Sequence, residues 1–151
     1  MGKIFSLIYT SRSGSTFFSK LLDDYEDIGV TVESFFIIYL IRLKRWFEKT
    51  GDVEKLFHRL EKLGRFYNLK INYNDFFSHY DGKKEISSVV EGILKTYFTR
   101  EKPQSTVWIV KDGGCGLYIN QSGYLHDSGS HYILCPLCAR QYGLDRLVIL
   151  S

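Results

Sequence analysis

At 151 residues, with 44% hydrophobic and 16% aromatic side chains, the chain has enough apolar surface for an ordinary core and needs no second folding unit. Twenty Lys and Arg against seventeen Asp and Glu leave a formal charge of +3, too small an excess to mark a nucleic-acid binder. Three cysteines, at 115, 135 and 138, are an odd number that does not suggest a disulfide framework and fits a reducing, cytoplasmic setting.

The chain opens on Lys3 to Thr10, nearly continuous in apolar residues and bounded by polar turn formers, as expected for a strand covered on both faces in a parallel sheet. Its apolar stretch, Ile4 to Tyr9, is shorter than a secretory h-region. Met1-Gly2-Lys3-Ile4-Phe5-Ser6 fits the myristoylation pattern by letters, but Phe5 is wanted inside this strand. From Thr16 the spacing becomes helical, with Phe17, Phe18, Leu21, Leu22 and Tyr25 recurring and Ser13 or Ser15 available as a cap. Gly29 to Glu33 is expected to be a short second strand, after which Ser34 is placed to cap a helix through Phe36, Ile37, Leu40, Ile41 and Leu43. The most apolar run, Phe35 to Ile41, is followed at once by Arg42, Lys44 and Arg45, so no transmembrane segment is predicted.

Val53, Leu56, Phe57, Leu60 and Leu63 predict one helix from Asp52 to Tyr67, punctuated by Gly51 and Gly64. A short helix around Asn74 to Tyr80 and a longer one from Glu85 to Thr99 follow, closed by Pro103. Val107 to Val110 is a strand, and Lys111-Asp112-Gly113-Gly114 is a turn at its carboxyl end. After a polar loop through Gly129, Pro136 suits the first turn of a helix to Tyr142, Gly143 its C-cap, and Leu147 to Leu150 one more buried strand. Strands separated by helices imply right-handed crossovers and an α/β fold in one domain, with ligands at the carboxyl edge of the sheet. Ser11 to Thr16, Glu33, Lys111 to Gly114 and Ser151 all follow strands on this reading.

The loop Ser11-Arg12-Ser13-Gly14-Ser15-Thr16 carries the chemistry. Small residues entering a helix turn successive N–H groups and the positive end of the helix dipole toward one point, where an anion gains several charge-assisted hydrogen bonds. Gly14 lets the backbone approach closely, Ser13, Ser15 and Thr16 add hydroxyls, and Arg12 adds a planar cation that can hold two oxygens. The loop lacks the Walker spacing, so ATP hydrolysis is not indicated.

Tyr9-Thr10-Ser11-Arg12-Ser13-Gly14-Ser15-Thr16-Phe17 resembles the 5′-phosphosulfate loop of sulfotransferases in its Arg-Ser-Gly-Ser-Thr form, found in carbohydrate and bacterial members. The resemblance implies a three-layer, P-loop-like fold with a central parallel sheet flanked by helices. It further implies 3′-phosphoadenosine 5′-phosphosulfate (PAPS) as sulfuryl donor, no metal, and a hydroxyl of a carbohydrate, lipid or small molecule as acceptor. By the same resemblance, Arg12, Ser13, Gly14, Ser15 and Thr16 bind the donor, and Arg12 also neutralises charge on the bridging oxygen. Glu33, ahead of the aromatic pair Phe35-Phe36, occupies a place comparable to a catalytic glutamate of bacterial glycolipid sulfotransferases. Trp108-Ile109-Val110-Lys111 resembles the family strand that ends in a lysine near the transferred group, which makes Lys111 a second catalytic cation. Sulfotransferases continue past a strand like Leu147 to Leu150 into a segment that holds the 3′-phosphate, so the resemblance also implies an incomplete domain.

Other features remain open. Between Arg42 and Lys70 nine Lys or Arg stand against four Asp or Glu, a surface on which an acidic acceptor could dock or simply a solvated helical face. Cys135 and Cys138 form a lone CxxC that His131 and Cys115 could complete as a zinc site, although buried cysteines commonly serve as small apolar residues. A non-catalytic phosphate-binding module and a small zinc-stabilised domain are therefore the alternatives. Asn120-Gln121-Ser122 is a glycosylation sequon only for a secreted chain and is taken as a polar loop.

Overall fold

The computed structural model describes residues 3–8, 15–111 and 131–134; at Ser6, Ile8, Ser15, Ile38 and 131–134 it describes the backbone alone. The expected turn after Lys111, the helix to Tyr142 and the strand Leu147 to Leu150 lie outside the described residues. The described residues divide into two compact units, one drawn from 1–33 and 104–151 and the other from 34–103.

The first unit is an α/β arrangement. Strand β1, Lys3–Ile8, is followed by helix α1, Ser15–Asp23, and by strand β2, Ile28–Val30. With strand β3, Val107–Lys111, and strand β4, His131–Leu134, the described residues form a four-stranded sheet in the order β2-β3-β1-β4. Every pairing is parallel, with Lys3 to Leu7 opposite Val107 to Lys111, Phe5 to Ile8 opposite His131 to Leu134, and Ile28 to Val30 opposite Val107 to Ile109. All four strands therefore end at one edge, and for β1, β2 and β3 this is the parallel arrangement the sequence predicts. Trp108, Ile109 and Val110 are successive buried residues on β3, which requires cover on both faces of that strand. Phe5 lies within β1, half-buried, as the strand reading required.

Two sequence expectations change here. The second strand is shorter than Gly29 to Glu33: regular pairing ends at Val30, and only the Thr31 amide continues it, donating to the Ile109 carbonyl at 2.9 Å. A strand not expected from the sequence, β4, sits beside β1 just before Cys135-Pro136, where the strand-prone letters Tyr132-Ile133-Leu134 were overshadowed by the proline's helix-start signal.

The second unit is helical. Helix α2, Phe36–Thr50, ends on Gly51 at φ +66°, a left-handed cap that glycine adopts without strain. Helix α3, Val53–Glu61, is capped by the Asp52 carboxylate, which accepts from the Lys55 amide at 2.9 Å. Helix α4, Tyr73–His79, is capped in the same way by Asn72, and helix α5, Ile86–Glu101, closes the unit.

The single helix expected from Asp52 to Tyr67 is broken. It stops at Glu61 and resumes as a 3-10 turn, Phe66–Leu69. At about 100° per residue, an unbroken helix would set Phe66 some 180° away from Phe57. The break, which includes Gly64, instead brings the two rings to 5.6 Å edge to face, and buries both Phe66 and Leu69. Lys70 then turns left-handed at φ +51°, and the Arg100 guanidinium donates to the Leu69 carbonyl at 2.6 Å and to that of Lys70. Helix α5 approaches α4 at Gly92, where a Cβ would come within 3.0 Å of the Phe76 ring.

Candidate functional site

The parallel sheet puts the ends of β1, β2 and β3 along one edge, and of the predicted site residues that are described, Thr16 and Lys111 meet there, while Glu33 follows the end of β2. Strand β1 ends at Ile8 and α1 begins at Ser15, so the segment between them joins the carboxyl edge to a helix N-terminus. Arg12, Ser13 and Gly14 lie outside the described residues, and Ser15 is described by its backbone as the first residue of α1. Thr16, second in the helix, is exposed. No acidic side chain occupies the first turn of α1, so the unsatisfied amides of that turn face no competing carboxylate of their own helix.

Lys111 is the last residue of β3, in register with Leu7 of the neighbouring β1. Its ammonium donates to the Thr16 hydroxyl at 3.2 Å, a contact that spans 95 residues of sequence. Two residues expected in the site for separate reasons, a loop hydroxyl and a strand-end cation, are thus brought together. The pairing follows from topology: β3 lies beside β1, so a side chain at its carboxyl end can reach the helix that β1 feeds.

A residue not singled out from the sequence holds Lys111 in place. Thr31 is buried, and its hydroxyl accepts from the Lys111 amide at 2.9 Å while its own amide pairs with Ile109. The side chain supplies an acceptor where the β2 backbone leaves the ladder, which fixes the end of β3. The available signal was a threonine at a strand end, too common a feature to single out.

Glu33 stands three residues beyond β2, half-buried, in the segment that Thr31 ties to the end of β3. It is therefore attached to the same edge as Lys111 by the chain, two residues from the tether. Ser34, expected to cap α2, does not do so. The capping position is taken by Phe35 at φ +54°, and no side chain caps the helix there. Ser34 is fully buried, and its hydroxyl is the one buried side-chain polar atom among the described residues without a hydrogen-bond partner. The left-handed turn at Phe35 redirects the chain and denies Ser34 the geometry of a cap; the Phe35 ring in turn lies under the Arg65 guanidinium at 4.8 Å. Ser34→Ala is accordingly expected to leave stability unchanged or raise it by up to ~1 kcal/mol, where loss of a true N-cap would lower it by about 1 kcal/mol. Urea denaturation of the two proteins distinguishes these results.

Cys115, Cys135 and Cys138 lie outside the described residues, and His131 contributes backbone only, so the zinc arrangement has no described geometry. Among the described residues no group of three or more His, Cys, Asp or Glu side chains is placed to hold a metal ion, and no helix is long and apolar enough to cross a membrane. Compared with family models, with curated proteins and with solved structures, the chain finds no match.

Proposed function

We propose that the chain is a PAPS-dependent sulfotransferase domain of the three-layer, P-loop-like kind, moving a sulfuryl group to a hydroxyl of a carbohydrate, lipid or small-molecule acceptor. The observation that carries the proposal is the Lys111–Thr16 contact, which sets a cation against the first turn of the helix that follows the Arg-Ser-Gly-Ser-Thr loop. A phosphosulfate needs that combination: amides and hydroxyls for the phosphate, and fixed positive charge where the bridging oxygen becomes anionic.

In the reaction the bond from sulfur to the bridging oxygen breaks and a bond from sulfur to the acceptor oxygen forms. Arg12 and Lys111 stabilise the charge that the departing phosphate gains, and Ser13 to Thr16 keep the phosphate in line with the acceptor. Glu33 takes the acceptor's proton, the role its position on the same edge supports.

Calorimetry with PAPS and with 3′,5′-ADP tests the reading. Wild type is expected to bind both ligands, and Arg12→Ala to weaken each by about tenfold to a hundredfold, the worth of a charge-assisted hydrogen bond. Binding that ignores Arg12 overturns the loop assignment. Loop-dependent binding without transfer to any hydroxyl acceptor selects the non-catalytic phosphate-binding module instead.

A further inference from the structure

The helical unit carries a basic face that sulfuryl transfer does not use. Arg42, Arg45 and Lys49 recur at helical spacing on α2, with Trp46 among them, and Lys55 and Arg59 on α3 continue at the same spacing to its C-cap, Lys62. Residues three and four apart share one face of a helix, so each set is a row about 10 Å long. The rows meet: the Arg59 guanidinium lies over the Trp46 ring at 4.4 Å, across the two-residue connection Gly51-Asp52. All six cations except the half-buried Arg59 are exposed.

The acids of the same stretch are engaged elsewhere. Glu48 pairs with Lys44 at 3.9 Å, Asp52 caps α3, and Glu54 and Glu61 flank His58 at 3.8 and 2.7 Å. The hydrogen bond to Glu61 raises the His58 pKa above its usual 6.5, as expected for a histidine between two carboxylates. Among the described residues none of the six cations forms an ion pair. The six cations outnumber the four carboxylates interleaved with them, on a chain whose overall excess is only +3.

From these rows we infer a docking surface for an acidic linear polysaccharide carrying sulfate or carboxylate groups. Three guanidiniums supply planar forks that match such groups two oxygens at a time, and three ammoniums supply point charges between them. A membrane surface is disfavoured because the large apolar side chains exposed in this unit, Tyr67 and Phe77, belong to neither row's helix. Nucleic acid is disfavoured because the aromatic on the face, Trp46, is covered by Arg59 and is not free to stack on a base. The choice of a saccharide over an acidic peptide rests on the sulfotransferase reading; the face itself does not.

The test uses the whole chain and a heparin octasaccharide, in calorimetry at two salt concentrations. Binding is expected to weaken with salt, and Arg45→Glu/Lys49→Glu and Lys55→Glu/Lys62→Glu are each expected to lower affinity by at least ~10-fold. Lys20→Glu/Lys95→Glu, an equal change of charge at residues that belong to neither row, is expected to stay within about twofold. In unaltered helices the sugar should change indole emission, and that change should vanish in Trp46→Phe, a readout that needs no charge reversal. Equal losses from the control pair overturn the inference. So does binding of a DNA duplex, polyglutamate or phosphatidylserine vesicles through the same rows with affinity as high as heparin's. Arg12→Ala separates the two proposals: heparin binding that survives it while PAPS binding falls supports both, and heparin binding without any PAPS binding retains the face while removing the transferase.

Discussion

Phe57→Ala is expected to unfold the helical unit under conditions where the parent is folded, with a loss of about 3–5 kcal/mol, the usual cost of emptying a buried phenylalanine site. Phe57 is 1% exposed and is the hub of the aromatic core. Its ring stacks on Phe76 at 5.0 Å, meets Phe66 and Tyr73 edge to face at 5.6 Å each, and through Phe66 reaches Phe36 at 6.0 Å. Its direct ring partners come from the 3-10 turn and α4, so one truncation in α3 removes contacts to two other elements and, through Phe66, loosens the link to α2. Collapse of the hole would require those elements to shift together, and α4 already packs closely on α5, where a Cβ at Gly92 would meet the Phe76 ring at 3.0 Å. A loss of this size consumes a large part of the stability of a typical domain. Denaturant titration followed by far-ultraviolet dichroism measures it, and Phe57→Leu should recover part of the loss.

The same aromatic core marks the limit of what the sequence makes legible. Helical spacing located α2 and α5, each of which buries a continuous apolar stripe, and it located α1 although Phe17 and Leu21 of its pattern are exposed; α4 buries Phe76, and the apolar runs located β1 and β3. Spacing failed at Glu61, since the pattern Val53 to Leu63 continues smoothly while the placement of Phe66 is decided by a ring on another turn. It failed at Ser34 for a related reason: a serine before a helical pattern is the ordinary cap, and only the left-handed turn at Phe35 shows that the chain arrives from the wrong direction. At the candidate site, the residue types were legible and their meeting was not. Nothing in the local sequence of Thr16 or Lys111 refers to the other; strand order joins them, and strand order is a property of the whole sheet. Thr31 was invisible because its role is to hold a backbone amide, a task with no spacing signature.

Lys111→Ala is expected to lower the rate of sulfuryl transfer by about 10²- to 10³-fold, the scale on which one fixed charge or donor at a developing oxyanion acts. The position of the ammonium decides the form of the loss. It touches Thr16 in the first turn of α1, where the proposed mechanism puts the departing phosphate, so on that proposal its effect belongs to the step in which charge accumulates, and the fall should appear in kcat more than in KM. Lys111→Arg keeps the charge and should retain part of the rate. Thr31→Val separates holding the lysine from the chemistry of the lysine. It removes the hydroxyl that accepts from the Lys111 amide, and should cost about 1 kcal/mol of stability, the usual worth of one such hydrogen bond. The Lys111 side chain then remains present and charged, so kcat should fall by less than in Lys111→Ala. If Thr31→Val and Lys111→Ala lose the same activity, the lysine acts only by completing the sheet edge. If Lys111→Ala keeps full kcat while PAPS binding still depends on Arg12, the loop stands and the second cation is removed from the mechanism.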